Sequence, residues 1–275
     1  MFDNKKLKVS FIGGGNMARA LIGGLQKNNF AMANVNVVES DAEKRARLHA
    51  DFGIAVTEQL PGVSDSDVIV LAVKPQQLRD LSIFLGSLLQ NQLIISIAAG
   101  VRSEDLARWL GGYQAIVRVM PNTPAQIQAG VSALFALPAV TKLQREQANM
   151  LLSAVGQTLW LDDEAKLDAV TAISGSGPAY VFYFIEAMQQ AAIELGLSAE
   201  QARLLSLHTF LGASQLAQQN AESPATLRAQ VTSKDGTTER ALQSMEAAEV
   251  KAAIIKAARA AAIRSKELGD LFGKD

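Results

Sequence analysis

The sequence predicts two domains: an α/β domain built on a parallel sheet with helices on its faces, then an all-α domain. Three observations predict it. Short runs rich in Val and Ile alternate with amphipathic stretches through the first 160 or so residues. A glycine-rich loop lies between the first such run and the first amphipathic stretch. After about residue 163 the strand-like runs stop and alanine-rich helical patterns take over. The 275 residues are 49% hydrophobic and 19% charged, which suffices for two modest cores.

Taken in order, the strand candidates are Leu7–Ile12, Val35–Val38, Val68–Val73, Leu93–Ala98 and Ala115–Met120. Between them, helices are expected at Met17–Lys27, Ala42–Phe52, Gln76–Leu89 and Glu104–Leu110. Strands alternating with helices read as βαβ units and hence a parallel sheet. The apolar runs Gly130–Ala136 and Thr158–Leu161 are expected to extend the sheet, with a helix over Leu143–Val155 between them. Beyond that come helices at Pro178–Gly196, Ala199–Gln219, Pro224–Val231, Glu239–Ala247 and Val250–Leu268. The expected domains are 1–163 and 164–275. The first of the later helices is apolar around much of its circumference, so it should be buried, within the helical domain or in a dimer core. Glu186, Glu194 and two glutamines within it argue against a membrane span.

Composition excludes several kinds of chemistry. A formal net charge of -1 provides no basic footprint for nucleic acid and no cationic face for a membrane. With no cysteine, and with His49 and His208 as the only imidazoles, no disulfide, thiol nucleophile or metal site is expected. The start of the chain lacks the long apolar stretch of a signal peptide, so a cytoplasmic protein is expected.

The glycine loop reads Gly-x-Gly-x-x-Ala at Gly13, Gly15 and Ala18. In a strand–loop–helix context this is a dinucleotide signature and identifies the first domain as Rossmann-type. Gly13 permits the turn, Gly15 lets the backbone approach a pyrophosphate, and Ala18 lets helix and strand pack closely. Gly14, Asn16 and Met17 complete the loop, and the helix start offers free amides to phosphate. Glu39, 21 residues past Ala18 at the end of the second strand, suits the ribose 2′-hydroxyl of NADH. Lys44, Arg45 and Arg47 keep NADPH open. Ligands of such sheets bind outside the strand C-termini. There the chain reads Ala72-Val73-Lys74-Pro75, Ser96-Ile97-Ala98-Ala99-Gly100 and Met120-Pro121-Asn122-Thr123-Pro124.

These segments resemble the pyrroline-5-carboxylate reductase family. The resemblance runs through Phe11–Met17, Ala72–Pro75, Ser96–Gly100, Met120–Ala125, Ser174-Gly175-Ser176-Gly177-Pro178-Ala179-Tyr180 and Val231–Thr238. It implies reduction of 1-pyrroline-5-carboxylate to L-proline with NADPH or NADH, the last step of proline biosynthesis. It implies a Rossmann domain followed by an all-helical dimerisation domain, and assembly as a homodimer or a decamer of five dimers. Cofactor roles pass to the glycine loop, to Ala72, Val73, Lys74 and Pro75, and to Ala98, Ala99 and Gly100. Substrate roles pass to Ser174, Gly175, Ser176 and Gly177 and to Ser233, Gly236, Thr237 and Thr238.

The family usually reads Ser-Pro-Gly-Gly where this chain has Ser233-Lys234-Asp235-Gly236; Asp tolerates the positive φ such a turn requires. Thr238 is the candidate hydroxyl for the ring nitrogen, and positioning rather than histidine acid–base chemistry is expected to carry the reaction. Local structure offers other duties. Ser174 or Ser176 would cap a helix broken before Pro178, Thr237 and Thr238 would cap the helix at Glu239, and Asn122 would either approach the nicotinamide or close its turn. His208 is expected in a packed core, His49 in solvent. Two other functions compete: a related imine or 2-hydroxyacid reductase, and a non-catalytic dinucleotide sensor. The hydroxyacid class uses a lysine on the helix entering its second domain, and Ser174–Ile185 contains none.

Overall fold

The computed structural model describes residues 6–274. The elements of the first part are β1 (Val9–Ile12), α1 (Asn16–Lys27), β2 (Val35–Val38), α2 (Ala42–Phe52), β3 (Ala55–Thr57), β4 (Val68–Leu71), α3 (Pro75–Gly86), β5 (Leu93–Ser96), α4 (Ser103–Trp109), β6 (Ile116–Met120), β7 (Gly130–Ala136), α5 (Lys142–Ser153), β8 (Gly156–Trp160) and α6 (Lys166–Val170). Then follow α7 (Gly177–Glu194), α8 (Ala199–Gln219), α9 (Pro224–Gln230), α10 (Thr237–Ala247) and α11 (Val250–Phe272). The chain forms two compact units: one runs to Ser176 and takes in the chain again from Ala261, and the other is Gly177–Ala260.

The sheet order is β3-β2-β1-β4-β5-β6-β7-β8. Strands β1 to β6 are parallel, with Val9 opposite both Val35 and Val68. Alternate strand residues feed two cores. Val9, Phe11, Val68 and Val70 pack with Leu21 and Leu25 of α1 on one face. Ile12, Ile69 and Leu71 pack with Leu78 of α3 and Leu106 of α4 on the other. Both faces are covered, which is why β1, β4 and β5 are buried at every position.

Two features of the sheet differ from expectation. The three-residue β3 is too short to show a period in sequence, yet it extends the sheet beyond β2. And β7 runs antiparallel to β6, pairing Met120 with Ala133, while β8 is parallel to β7.

The first unit does not end with β8. Arg118 of β6 is 8% exposed at its side chain and pairs with Glu164 at 2.8 Å, and the same carboxylate oxygen accepts Ser103 N–H at 2.7 Å. Leu167 of α6 is buried. The last turns of α11 return to this unit: Ser265 Oγ donates to Asp168 at 2.6 Å, Arg102 pairs with Asp270, and Gly100 packs against Leu268 and Phe272.

The expected helix break before Pro178 is replaced by a continuous helical path. Residues Thr171–Gly175 form a π-turn joining α6 to α7, with Ser176 N–H bonded to Thr171 O at 2.8 Å. The wider turn accommodates Pro178, which has no N–H to return to the preceding turn and whose ring crowds the carbonyl there. Ser174 therefore caps nothing. Its hydroxyl bonds back to Val170 O at 3.1 Å.

In the second unit α7 and α8 pack against each other. No residue of α7 is buried, and α8 buries only Ala202 and Ser206. His208 is exposed rather than packed in a core, because the Leu204 and Leu205 beside it are themselves 58% and 53% exposed in the single chain. The apolar surface of α7 thus has no cover within its own unit: Phe182 is 66% and Tyr183 71% exposed.

Candidate active site: the dinucleotide cleft and the threonine turn

The strand order reverses between β1 and β4, and a cleft of ≈ 560 Å³ opens at their C-terminal ends. Gly13–Gly15 and Ala72–Lys74 form two of its walls, and Val38–Asp41 with Lys44 and Glu58 close the β2 end.

Gly13 has φ +97° and is held between two strand ends, donating its N–H to Val38 O at 2.8 Å. A Cβ there would lie 2.7 Å from Ala72 O. Gly14 donates its N–H to Glu39 Oε2 at 2.9 Å. Gly15 has open space where a side chain would be, so a ligand can meet its backbone. Ala18 is fully buried against the sheet. Asn16 and Met17 open α1. Gly13 thus turns the chain, Gly15 leaves its backbone open and Ala18 packs closely.

The helix starts differ in a way that matters for anions. In α2, α5, α8 and α9 a side chain caps the first turn: Asp41, Thr141, Ser198 and Ser223. At α1 the N-cap is Gly15, with no side-chain cap and no acidic residue in the first turn. α3 is the same, with Lys74 extended at its N-cap and Pro75 following. Both helix starts border one cleft, and that of α1 leaves free the amides a pyrophosphate requires, while at α3 Pro75 has no N–H and Gln77 N–H bonds Lys74 O at 2.9 Å. The residues present therefore fit a nicotinamide dinucleotide.

Glu39 is 9% exposed, and its other oxygen, Oε1, accepts the Asp41 N–H at 3.0 Å. Burial pushes its carboxyl up, but the Asp41 and Gly14 amides, with Lys44 nearby, outweigh that and hold it below its ordinary value. The Lys44 amide likewise holds the Asp41 carboxyl low. Arg45 lies on Glu39 O at 2.7 Å, Ser40 O at 2.8 Å and Glu58 Oε2 at 3.1 Å.

The other predicted residues at strand ends are placed as follows. Val73 lines the cleft with Ala72 and Lys74. Ala98 is buried and Ala99 exposed after β5, and Gly100 is buried with φ +78°. Asn122 follows β6 and closes its turn, its side-chain oxygen accepting Val131 N–H at 2.9 Å. A side chain at Gly175 would run into Met120, so the Ser174–Ser176 turn lies against the end of β6.

In the second unit, Gly177 begins α7, and the turn before α10 is built on Asp235, at φ +60°. The aspartate adopts the backbone its residue type tolerates. Gly236 donates its N–H to Ser233 O at 3.1 Å, and a Cβ on it would meet Ser233 Oγ at 2.5 Å. Helix α10 begins at Thr237, earlier than the expected Glu239, with Gly236 as its N-cap. Thr237 and Thr238 therefore lie inside the first turn and do not cap it. Their hydroxyls make no hydrogen bond among the described residues. No side chain caps this helix; Glu239 reaches back past the N-cap and accepts the Asp235 N–H at 2.7 Å. Ser233 and Lys234 are exposed.

Sequence reasoning missed Ser40, Asp41, Glu58 and Gln77 on the cleft wall. Asp41 was findable, since an aspartate before a helix with Glu43 in its first turn is an N-cap pattern. Glu58 was hidden behind the unrecognised β3.

Comparison with known proteins agrees with this geometry. Residues 164–268 match the family described as pyrroline-5-carboxylate reductase dimerisation, and residues 8–100 match NADP oxidoreductase coenzyme F420-dependent. A pyrroline-5-carboxylate reductase of Pseudomonas aeruginosa is 48% identical over 97% of this chain and 98% of its own length. One from Vibrio alginolyticus is 41% identical over 96% and 98%. Among solved structures, a pyrroline-5-carboxylate reductase from Coxiella burnetii superposes with TM-score 0.90 at 39% identity, covering 97% of this chain and 99% of that one. The Plasmodium falciparum pyrroline carboxylate reductase with NADP bound gives TM-score 0.88 at 28% identity, covering 97% and 100%. A Rossmann-type domain, a matched dimerisation domain and near full-length identity place this chain in the pyrroline-5-carboxylate reductase family.

Proposed function

We propose that this chain reduces 1-pyrroline-5-carboxylate to L-proline with NADPH or NADH, the last step of proline biosynthesis. The observation that carries the reading is 48% identity to a pyrroline-5-carboxylate reductase across nearly the whole of both chains. When bound, the cofactor supplies a hydride to the imine carbon. Everything else falls to binding and orientation.

In this reading residues 1–163 form the cofactor domain and 164–275 the substrate and dimerisation domain. Gly13, Gly14, Gly15, Asn16, Met17 and Ala18 form the pyrophosphate loop, in which Gly13 turns the chain, Gly14 ties it to Glu39, Ala18 packs the helix and the open backbone from Gly15 to Met17 meets the phosphates; Glu39 holds the ribose. Ala72–Pro75, Ala98–Gly100 and Asn122 line the path of the nicotinamide end. Ser174–Gly177 and Ser233, Gly236, Thr237 and Thr238 hold the imino acid: backbone N–H groups of the turn take the carboxylate. The Thr238 hydroxyl, free of any partner among the described residues, donates to or accepts from the ring nitrogen. The bare α7 surface is covered by a second copy in a homodimer, five of which build the decamer. The reading implies the cytoplasm, where reduced nicotinamide is available. Among the described residues no helix is long and apolar enough to cross a membrane.

The test mixes the purified protein with NADH or NADPH and either pyrroline-5-carboxylate or simple keto acids, following loss of the reduced-nicotinamide absorbance. Oxidation with the imine alone supports the reading. Oxidation with keto acids would make the chain a hydroxyacid reductase, and silence with both would make it a dinucleotide sensor.

A further inference from the structure

We propose that the β2 end of the cleft selects NADH over NADPH, because this chain's own carboxylates already occupy the amides that a 2′-phosphate would need. The inference rests on the dinucleotide reading of the cleft. In this fold the group at the end of β2 meets the ribose 2′ position.

Three of the backbone donors clustered there are taken. Gly14 N–H goes to Glu39 Oε2 at 2.9 Å, Asp41 N–H to Glu39 Oε1 at 3.0 Å, and Lys44 N–H to Asp41 Oδ1 at 3.0 Å. The start of α2 is thus closed by an internal anion, whereas the start of α1 is bare. The cations are engaged as well. Arg45 is held by the carbonyls of Glu39 and Ser40 and by Glu58. Arg47 pairs with Glu43 at 3.3 Å, along the exposed face of α2.

Lys44 and, at the β4 end, Lys74 line the cleft, and Glu39, Asp41 and Glu58 line it too. A phosphate dianion entering at the β2 end meets three carboxylates against Lys44 and the already engaged Arg45, and finds these three amides used. A hydroxyl meets the opposite situation. A carboxylate offers about four lone-pair sites, and Glu39 retains capacity to accept a 2′-hydroxyl after its two amide bonds.

Equilibrium calorimetry on the full chain tests this. The ligands are NAD⁺ and NADP⁺, and then ADP-ribose and its 2′-phosphorylated form, which remove the nicotinamide end from the comparison. The unphosphorylated member of each pair is expected to bind at least about tenfold tighter. Asp41→Ser keeps an N-cap acceptor while removing the charge, and it is expected to narrow that gap severalfold, with thermal unfolding checking that the fold is retained. Equal or tighter binding of the phosphorylated ligands overturns the proposal, as does a gap that Asp41→Ser leaves unchanged. Binding of neither pair overturns the cleft itself and this inference with it. Selective binding without imine reduction upholds the inference while defeating the functional reading.

Discussion

The amide of Gly14 and the carboxylate of Glu39 are joined by a 2.9 Å hydrogen bond that ties the loop after β1 to the end of β2. Because Oε1 of the same group accepts the Asp41 N–H, one ionised side chain ties the glycine-loop wall of the cleft to its β2 end. Glu39→Gln replaces one acceptor oxygen with an N–H₂ facing an N–H. We expect a loss of about 1–2 kcal/mol at neutral pH, measured by urea unfolding. The folded-state carboxyl lies below its ordinary value, so its stabilisation is present above the unfolded value and lost as pH falls through the folded one. The difference between wild type and Glu39→Gln should therefore shrink in acid.

Gly13→Ala should damage both fold and binding. The position has φ +97°, and the new Cβ would lie 2.7 Å from a main-chain oxygen that cannot swing aside. Strain of about 1–3 kcal/mol is expected, with a lowered melting temperature and weaker nucleotide binding in titration.

Thr238→Ala separates catalysis from folding. The hydroxyl has no partner among the described residues, so stability should change by no more than about 0.5 kcal/mol. If it serves the ring nitrogen, kcat/KM falls by about tenfold or more, some 1.4 kcal/mol, while cofactor affinity holds. Unchanged turnover would remove it from the role.

Glu164→Ala strands Arg118, whose side chain is 8% exposed, and leaves Ser103 N–H without its acceptor. Breaking a buried pair from one side costs about 3–5 kcal/mol. The double variant Arg118→Met with Glu164→Leu should recover part of that loss in urea unfolding, since no charge is then left buried.

Tyr183→Asp on α7 tests the dimer. The side chain is 71% exposed in the single chain, so its loss should leave the chain folded. If a second copy covers this face, a charge on it should shift sedimentation towards monomer.

What the sequence revealed was chemistry confined to a few neighbours. Gly13 announced a turn and Asp235 a positive φ. The Gly14 and Glu39 tie was not legible, because it joins residues brought close only by the sheet. Strand direction was partly legible: Gly130–Ala136 reads as a strand either way, but only residues 121–129 separate it from β6. A parallel return needs about 10–12 residues or more, so the antiparallel step was already implied by length. The Ser174–Pro178 segment misled because serine before proline signals a cap, and nothing local distinguishes a cap from a π-turn. His208 misled because its leucine neighbours look like core when the surface they face belongs to no residue of their own unit.

The undressed start of α1 also has a practical consequence. A helix end without its own acceptor borrows one from the medium, so sulfate or inorganic phosphate in a buffer becomes a weak competitor for the pyrophosphate. Rates compared across buffers would then differ for reasons unrelated to pH, and the same salts would raise the melting temperature of the ligand-free protein.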